Sequence, residues 1–444
     1  MAGENLAQAT APLTGEEQRL PRAYHHNFWC LALDFCFFGI GMAFFGPGTV
    51  VPSFLTTLGA SSSVIGLLAT LQRAGWLLPQ LVAARYLADK PYKKPFILLP
   101  GSISRSLLLI LAIVIWLTGA RPPGLMIAIV TIAMGLFWLG DGLGSLAWFD
   151  FLSKSIPAHR RGRLTSTGQI LSGIASFAAG FVVEWLLSDR GPAYPNNYAM
   201  LFLIGFLMLA ISMTAISLSK EEKSVTADRV PRWREYLPAL GRLLGRDLDF
   251  RRYLIARQVL NLAMLASPFY IIYALDVLNL PAQVAGRYTS VGVIGSIGAA
   301  LLFGWLNERH GTKLTCQVSI LVTAAIPLLA LVIPWVIRNP AALAWAYGLV
   351  FLANNASMSS YLPGWTAYVL ELAPDVDRPF YVGLSNTLNG VSALTSVLGG
   401  AILQWTNQNY TILFALTAIG TLATLPVWLS VPEPRDRERE SVLA

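Results

Sequence analysis

Charged residues are scarce in this chain. Asp, Glu, Lys and Arg make up 13% of its 444 residues, whereas soluble proteins average about 25%. Residues 96–115 contain one charged residue, Arg105, and residues 314–337 contain none. Each run is long enough to cross about 30 Å of hydrocarbon as a helix. Neither run alternates with the period of two that a membrane-barrel strand requires, so the scarcity of charge excludes both a water-soluble domain and a barrel.

Cysteine and histidine are also rare, with three and four residues. The cysteines fall within apolar runs and have neither the spacing of metal ligands nor the pattern of a disulfide framework. Phosphate-cradling glycine loops and zinc-binding pairs are missing from the loops, which argues against a membrane enzyme. We therefore expect no cofactor and no metal, and we interpret Cys30, Cys36 and Cys316 as small buried residues.

The chain consists instead of long apolar runs separated by helix breakers and charged loops. Because helices satisfy their own backbone in lipid, the pattern predicts an all-α polytopic membrane protein. We predict twelve transmembrane helices, with limits near residues 27–57, 62–86, 95–118, 124–149, 164–187, 198–218, 253–276, 283–306, 314–337, 341–365, 380–404 and 410–431.

The basic residues are distributed unevenly among the predicted loops. If the first span enters from the cytoplasm, 25 of the 32 Lys and Arg residues lie in cytoplasmic segments and four lie within spans. The three on the other side are Arg121, Arg190 and Arg338. By the positive-inside rule, both termini are cytoplasmic and the protein belongs in the cytoplasmic membrane. The asymmetry also accounts for the net charge of +8 without a nucleic-acid partner, because no soluble domain presents a basic face.

One long charged segment, residues 220–252, divides the predicted spans six and six. Its arginines alternate with Trp233 and Tyr236. This pattern fits either a basic amphipathic helix on the anionic lipids of the inner leaflet or a solvated linker. The predicted organisation is a cytoplasmic tail over 1–26, a six-helix bundle over 27–218, a cytoplasmic linker over 219–252, a second bundle over 253–432 and a cytoplasmic tail over 433–444.

A loop motif occurs twice in the chain. Residues 85–94 and 304–313 share a Leu at the third position, an acid at the fifth and a base at the sixth, at an offset of 219 residues. A common offset at separated places indicates that a six-helix unit was duplicated. Further landmarks recur at an offset of 217, where Trp148, Pro157 and Gly173 correspond to Trp365, Pro374 and Gly390.

Six plus six helices, a basic central loop and the repeated motif resemble the major facilitator superfamily of secondary transporters. The family motif runs Gly-x-Leu-Ala-Asp-Arg-x-Gly-Arg-Lys between the second and third helices. Residues 304–313 fit it closely, and residues 85–94 fit it except at Arg85 and Tyr92. The resemblance implies two bundles that rock about a small-molecule site near the bilayer midplane. We expect a monomer, and the motifs assign no subfamily.

The resemblance also implies a conformational lock at the cytoplasmic ends of the helices. The family places the motif acid, here Asp89, against the start of the eleventh helix. The repeat would place Glu308 against the start of the fifth, and Lys93 is expected to tie Asp150 into the first cluster. The predicted lock residues are Asp89, Lys90, Lys93, Lys94, Asp150, Glu308, Arg309 and Lys313.

Four charged residues lie deep in predicted spans of the first half: Asp34, Arg73, Arg105 and Asp141. A charge at mid-membrane costs at least roughly 2.5–3.5 kcal/mol, so each needs a partner or an aqueous cavity. One interpretation is proton coupling, in which an acid binds and releases a proton and an arginine controls it or binds an anionic substrate. The other is permanent ion pairing, of Asp34 with Arg73 or of Asp141 with Arg105. The repeat position of Arg73, near Val293, carries no charge, which suggests a task particular to the first half.

The second half offers mainly neutral polar and aromatic groups. These either line a cavity that binds hydroxyls and ring faces or serve helix packing. Arg257, close to the inner end of span seven, either extends to the headgroups or faces the cavity. The candidate cavity residues are Gln258, Asn261, Tyr270, Tyr273, Asn354, Asn355, Tyr361, Asn386 and Asn389.

The leading functional hypothesis is a secondary active transporter of a small organic solute, coupled to protons. Three alternatives stay open: an uncoupled facilitator, a polytopic membrane enzyme, and a non-transporting assembly or sensor protein built on the same fold.

Overall fold

The computed structural model describes residues 23–87, 90–223, 244–373 and 378–434, with the backbone alone at residues 81, 82, 84, 85, 158, 159, 162 and 378–380. The described residues are helical throughout, joined by short turns. Grouped by span, the helices are α1 (Tyr24–Phe45 and Val50–Thr57), α2 (Ser62–Leu87), α3 (Lys94–Thr118), α4 (Pro123–Ser155), α5 (Ala158–Leu186), α6 (Asn196–Leu218), α7 (Leu248–Leu260 through Tyr273–Val277), α8 (Val284–His310), α9 (Thr312–Val336), α10 (Pro340–Ala346 through Ala367–Leu372), α11 (Arg378–Val391 through Thr395–Trp405) and α12 (Tyr410–Leu422 and Thr424–Leu429).

These segments follow the predicted spans closely. Within the described residues, nine of them are long and apolar enough to cross a membrane, judged by length and composition. We call the ends that the basic residues predict to be cytoplasmic the inner ends, and the opposite ends the outer ends. Residues 1–22 of the predicted N-terminal tail, residues 224–243 of the predicted linker and residues 435–444 of the predicted C-terminal tail lie outside the described residues.

The two halves of the chain have the same internal packing. In the first half, α1 packs against α5 and α6, and α3 packs against α4 and α6, while α2 packs against α4. In the second half, α7 packs against α11 and α12, and α9 packs against α10 and α12, while α8 packs against α10. Each contact in one half therefore has its counterpart six helices later, as expected for a duplicated bundle.

The interface between the halves repeats the same symmetry. Helix α2 packs against α11, and α5 packs against α8. Thr70 Oγ1 donates to the carbonyl of Ala393 at 2.8 Å, and Ser290 Oγ donates to the carbonyl of Phe177 at 2.9 Å. The two donors are 220 residues apart and the two acceptors 216, close to the offsets of 219 and 217 in the sequence. The repeat thus extends to individual hydrogen bonds between the halves.

Two glycines allow the helices to approach closely at these crossings. A Cβ atom on Gly66 of α2 would lie 2.4 Å from the carbonyl oxygen of Ser396, and one on Gly286 of α8 would lie 2.2 Å from the amide nitrogen of Glu184. Both distances are too short for a side chain, so backbone contact requires glycine there. The outer portions of the two bundles are therefore in close backbone contact at both crossings.

Four helices depart from α geometry near the middle of the bundle. In α1, Gly46 has a left-handed φ of 45° and ends the first part of the helix just before Pro47. Helix α7 narrows to 3₁₀ geometry over Asn261–Leu265, α10 widens to a π-helix over Tyr361–Thr366, and α11 narrows over Ser392–Leu394. Such irregular backbone inside a membrane domain is stable where it lines a cavity, and it often marks functional sites.

Candidate functional site

A large cavity lies between the two halves, from the middle of the helices toward their outer ends. It has a volume of about 510 Å³, and we call it the outer central cavity. Its walls come from α1, α2, α4 and α5 on one side and from α7, α8, α10 and α11 on the other. Among the described residues that line this cavity, Arg73 alone is charged. Asn354, Asn355 and Tyr270 also line it.

A second cavity continues from the middle toward the inner ends. It measures about 320 Å³, and we call it the arginine cavity because Arg73 of α2 and Arg257 of α7 both line it. Arg73 donates to Asn261 Oδ1 at 3.5 Å and contacts Met264 Sδ at 3.3 Å. Arg257 is 7% exposed, so it is buried in the bundle and does not extend to the headgroups. Its guanidinium lies over the rings of Trp365 at 4.7 Å and Tyr361 at 5.3 Å.

A third cavity, of about 220 Å³, lies inside the first bundle near its inner end. We call it the Asp34 cavity. Asp34 is 6% exposed and accepts hydrogen bonds from Trp148 Nε1 at 2.8 Å and from Ser212 Oγ at 2.6 Å. The permanent pair with Arg73 is therefore not formed, since Arg73 contacts α7 instead.

The other predicted pair exists. Arg105 Nη2 donates to Asp141 Oδ1 at 2.9 Å, and both side chains are buried within α3 and α4, at 7% and 11% exposure. Arg105 Nη1 also donates to Ser104 Oγ at 2.9 Å. Both members of the pair line the Asp34 cavity, so the pair lies beside the unpaired carboxylate.

Trp76 connects the three cavities. Its side chain contributes to the walls of the outer central cavity, the arginine cavity and the Asp34 cavity. It lies one turn beyond Arg73 on α2, which orients both side chains toward the interior. A tryptophan in an apolar span is common, so the sequence contained no signal for this position.

A family model described as the Major Facilitator Superfamily matches residues 33–360 and 258–443. The chain belongs to the Major Facilitator Superfamily. It is an integral membrane protein, and its fold of two pseudo-symmetric six-helix bundles is that of membrane transporters. Uncharacterized proteins of Mycobacterium tuberculosis and Mycobacterium bovis are 26% identical over 302 residues, which cover 66% of this chain and 56% of theirs. The matched part thus spans little more than half the length of these curated relatives.

Solved structures of other superfamily members share the fold at low sequence identity. A variant of the nucleoside transporter NupG superimposes with a TM-score of 0.68 at 15% identity, covering 92% of this chain and 100% of that one. A bacterial homologue of the iron transporter ferroportin, inward-facing, gives 0.68 at 14% identity over 92% and 99%. A D-xylose-proton symporter gives 0.63 at 15% identity over 93% and 99%.

Three polar candidates of the second half, Gln258, Asn261 and Asn389, belong to one hydrogen-bond network. Asn261 Nδ2 donates to Asn389 Oδ1 and to Ser392 Oγ, both at 3.0 Å, and Ser392 Oγ donates to Gln258 Oε1. The network fixes Asn261, which in turn accepts from Arg73. It therefore connects α2 to α7 and α11 across the bundle interface.

Three predicted cavity residues, Gln258, Tyr273 and Asn386, are absent from the described lining of the three cavities. Tyr273 packs against the rings of Tyr347, Tyr410 and Phe414, with centroids 5.2–6.1 Å apart, and is absent from the described lining of the three cavities. Asn386 accepts from the Tyr361 hydroxyl at 3.2 Å. It thus positions a ring that contacts Arg257 and acts on the arginine cavity indirectly.

The first copy of the superfamily loop motif is described in part. Asp89 lies outside the described residues, so its contact with α11 stays a prediction. Lys93 Nζ lies 3.9 Å from Asp150 Oδ2, which brings together the residues expected to form the first cluster. Lys90 Nζ lies 5.2 Å from the centre of the Tyr86 ring.

The second copy of the motif ends α8. Glu308 is exposed at the inner end of the helix, and no hydrogen bond or ion pair to its carboxylate is found in the described part of the chain. Arg309 lies 5.6 Å from the centre of the Trp305 ring. The contact of Glu308 with α5 therefore stays a prediction, and the described contacts between the halves lie at the outer ends and the middle.

Two glutamates that sequence reasoning missed hold these motif loops. Glu221, after α6, accepts from the backbone N–H of Lys94 at 3.0 Å and from Lys154 Nζ at 2.8 Å. Glu433, after α12, accepts from the backbone N–H of Lys313 at 2.9 Å. Lys94 and Lys313 are 219 residues apart, so equivalent acids bind the first turns of α3 and α9. Free backbone N–H groups at helix starts favour such carboxylates.

Proposed function

We propose that this protein is a secondary active transporter that moves a small organic solute across the cytoplasmic membrane by alternating access, coupled to protons at Asp34. The proposal is supported by the outer central cavity and the arginine cavity, which we call together the central cavities, because their walls come from both halves of the chain. A rocking motion of the two bundles would change which side of the membrane has access to a solute held there.

Proton coupling rests on the environment of Asp34. The carboxylate is buried, and its described hydrogen-bond donors, Trp148 and Ser212, are neutral. The nearby guanidinium of Arg105 is already paired with Asp141. Protonation would remove a charge from the Asp34 cavity without breaking that ion pair. A conformational change that alters water access to this cavity would therefore change the proton affinity of Asp34.

The orientation and organisation follow the basic residues. We propose cytoplasmic termini, bundles over residues 27–218 and 253–432, and a cytoplasmic linker over 219–252 that contacts anionic lipids of the inner leaflet. We also propose a monomer, because both walls of the central cavities come from one chain. We also propose transport without catalysis, which is consistent with cavities whose walls come from both halves of the chain.

The test begins with a ligand found by thermal shift, since a solute that binds the folded state raises its melting temperature. The purified full-length protein is then reconstituted into liposomes. An imposed pH gradient should drive accumulation of the ligand by the wild type. Asp34→Asn should lose this accumulation but keep exchange of labelled for unlabelled ligand, which needs no net proton movement. Asp189→Asn, at an exposed loop position, serves as the control. Accumulation by Asp34→Asn equal to wild type would refute coupling at Asp34.

A further inference from the structure

Of the four arginines that lie within the predicted spans, two have no carboxylate partner in the described structure. Arg105 pairs with Asp141 at 2.9 Å and Arg287 pairs with Glu184 at 2.5 Å. Arg73 and Arg257 contact only amide, thioether and aromatic groups among the described residues. The chain thus neutralises the arginines outside the central cavities and leaves two positive charges at the cavities.

Both unpaired guanidiniums face the arginine cavity, and none of the described residues that line it is acidic. The Nε atoms of Arg73 and Arg257 are buried and lack a hydrogen-bond partner among the described residues, as do those of Arg105 and Arg287, so the missing carboxylate is what sets Arg73 and Arg257 apart. A buried charge without a counterion is unfavourable, and two like charges at one cavity increase that cost. The site is therefore incomplete without a negatively charged group.

The hydroxyl groups of the same cavity are already paired with one another. Ser319 Oγ lies 2.6 Å from Ser360 Oγ, and Thr323 Oγ1 lies 2.5 Å from Ser357 Oγ. Since each of these hydroxyls has a single hydrogen and that hydrogen is already donated, they can accept from a ligand but offer it no further donor. Among the described residues that line this cavity, the buried donors without a partner are the Nε atoms of Arg73 and Arg257, and guanidiniums favour a planar or tetrahedral oxyanion over a sugar-like ligand.

The remaining wall of the cavity is apolar and aromatic. It is formed by Trp76, Leu77, Leu260, Ala263, Met264 and Met358. A volume of about 320 Å³ is at the small end of ligand pockets. The lining therefore suits a compact organic body attached to one charged group.

We propose that Arg73 and Arg257 form an anion subsite, so that the transported solute is a small organic anion carrying a carboxylate or phosphate group. This inference rests on the proposed transport function and names its substrate class. Arg73 belongs to the first bundle and Arg257 to the second, so a bound oxyanion joins the two halves. Without the anion, the two guanidiniums repel each other across the interface; with it, each gains a charged partner.

The test is a binding measurement on purified full-length protein in lipid nanodiscs. The probes are aliphatic and aromatic monocarboxylates, their neutral primary amides of the same shape, phosphate monoesters, and inorganic phosphate alone. We expect at least one carboxylate or phosphate monoester to raise the melting temperature, and its neutral counterpart to have no effect. Preference for carboxylates or for phosphate esters identifies the group that the subsite holds. Neutral amides that bind as tightly as the acids would overturn the proposal.

Variants connect the binding to the two arginines. Arg73→Gln and Arg257→Gln should each raise the dissociation constant of the anionic ligand about tenfold or more. Lys at either position should restore part of the lost affinity. Arg338→Gln removes an exposed arginine outside the cavities and should bind like the wild type. If a Gln variant fails to fold, the Lys variant and the acid–amide comparison on wild type still decide the question. Dissociation constants unchanged within twofold in both folded Gln variants would refute the subsite.

The binding test needs no ion gradient, so its outcome is independent of the transport test. Anion binding without gradient-driven uptake would refute the proposed function and leave the subsite intact. Gradient-driven uptake of a neutral solute, without anion binding, would support transport and refute the subsite.

Discussion

Arg287 Nη2 lies 2.5 Å from Glu184 Oε1, and this ion pair joins the outer end of α8 to the outer end of α5. The same guanidinium lies over the ring of Trp345 of α10, 4.1 Å from its centre. The pair adds to the close helix crossing at Gly286 and connects the two bundles directly. The structure therefore has its outer ends held together by charge as well as by packing.

Removal of this ion pair is expected to favour opening of the outer side. Glu184→Gln keeps the shape of the side chain but removes its charge, and a partly exposed pair contributes up to about 1 kcal/mol, or roughly fivefold in population. In a background without native cysteines, a cysteine at Ser267, which lines the outer central cavity, should react faster with an impermeant maleimide applied from outside. Asp189→Asn provides the matched control. An unchanged labelling rate would show that the ion pair does not hold the outer side closed.

The Arg105–Asp141 pair is expected to be structural. Asp141→Asn leaves a buried guanidinium without its counterion, which typically costs about 3–5 kcal/mol. The melting temperature of purified Asp141→Asn should fall clearly below that of the wild type. Arg105→Gln combined with Asp141→Asn should recover part of the loss, because no charge is then left unpaired. A single variant as stable as the wild type would contradict this assignment.

The acids that follow the sixth and twelfth helices are expected to stabilise both motif loops. Glu221→Gln weakens charge-assisted bonds to the start of α3 and to Lys154, and Glu433→Gln does the same at the start of α9. Each should lower the free energy of unfolding by about 1–3 kcal/mol. Chemical denaturation in detergent would measure this. Glu222→Gln, an exposed neighbour, should change little, and equal stability of all three variants would argue against a capping role.

The predicted orientation has a direct labelling test. In the cysteine-free background, a cysteine at Ser61, in the exposed turn between α1 and α2, should react with an impermeant reagent on intact cells. A cysteine at Lys223, just after α6, should react only after the membrane is permeabilised. The opposite pattern would reverse the assignment of inner and outer ends.

Much of the architecture follows from patterns that are local in sequence. Long apolar runs predict spans because each helix satisfies its own backbone, and the loop motif predicts the repeat because duplicated units keep their junctions. The sequence suggested two ion pairs, Asp34 with Arg73 and Asp141 with Arg105, and only the second is formed among the described residues. That outcome depends on the packing of α3 against α4, which no local pattern specifies.

The composition of the site depends on packing between the halves. The sequence suggested a task particular to the first half, because the repeat position of Arg73 has no charge. The structure adds a second arginine to this site, since Arg257 of the second half faces the same cavity from α7. The sequence position of Arg257, close to a span end, was compatible both with contact to the lipid headgroups and with facing the cavity. Glu184 and Arg287 lie 103 residues apart, and only the crossing of α5 and α8 makes them partners.

The central claim is that the two bundles rock about the shared cavities, and paired distance measurements test it most directly. Spin labels at Ser61 and Asn279 report the outer ends of the two halves, and labels at Tyr92 and His310 report the inner ends; all four positions are exposed. Double electron–electron resonance would compare the wild type with Glu184→Gln in nanodiscs. Alternating access predicts that the outer distance lengthens while the inner distance shortens. Distances that stay unchanged, or that both change in the same direction, would contradict the account.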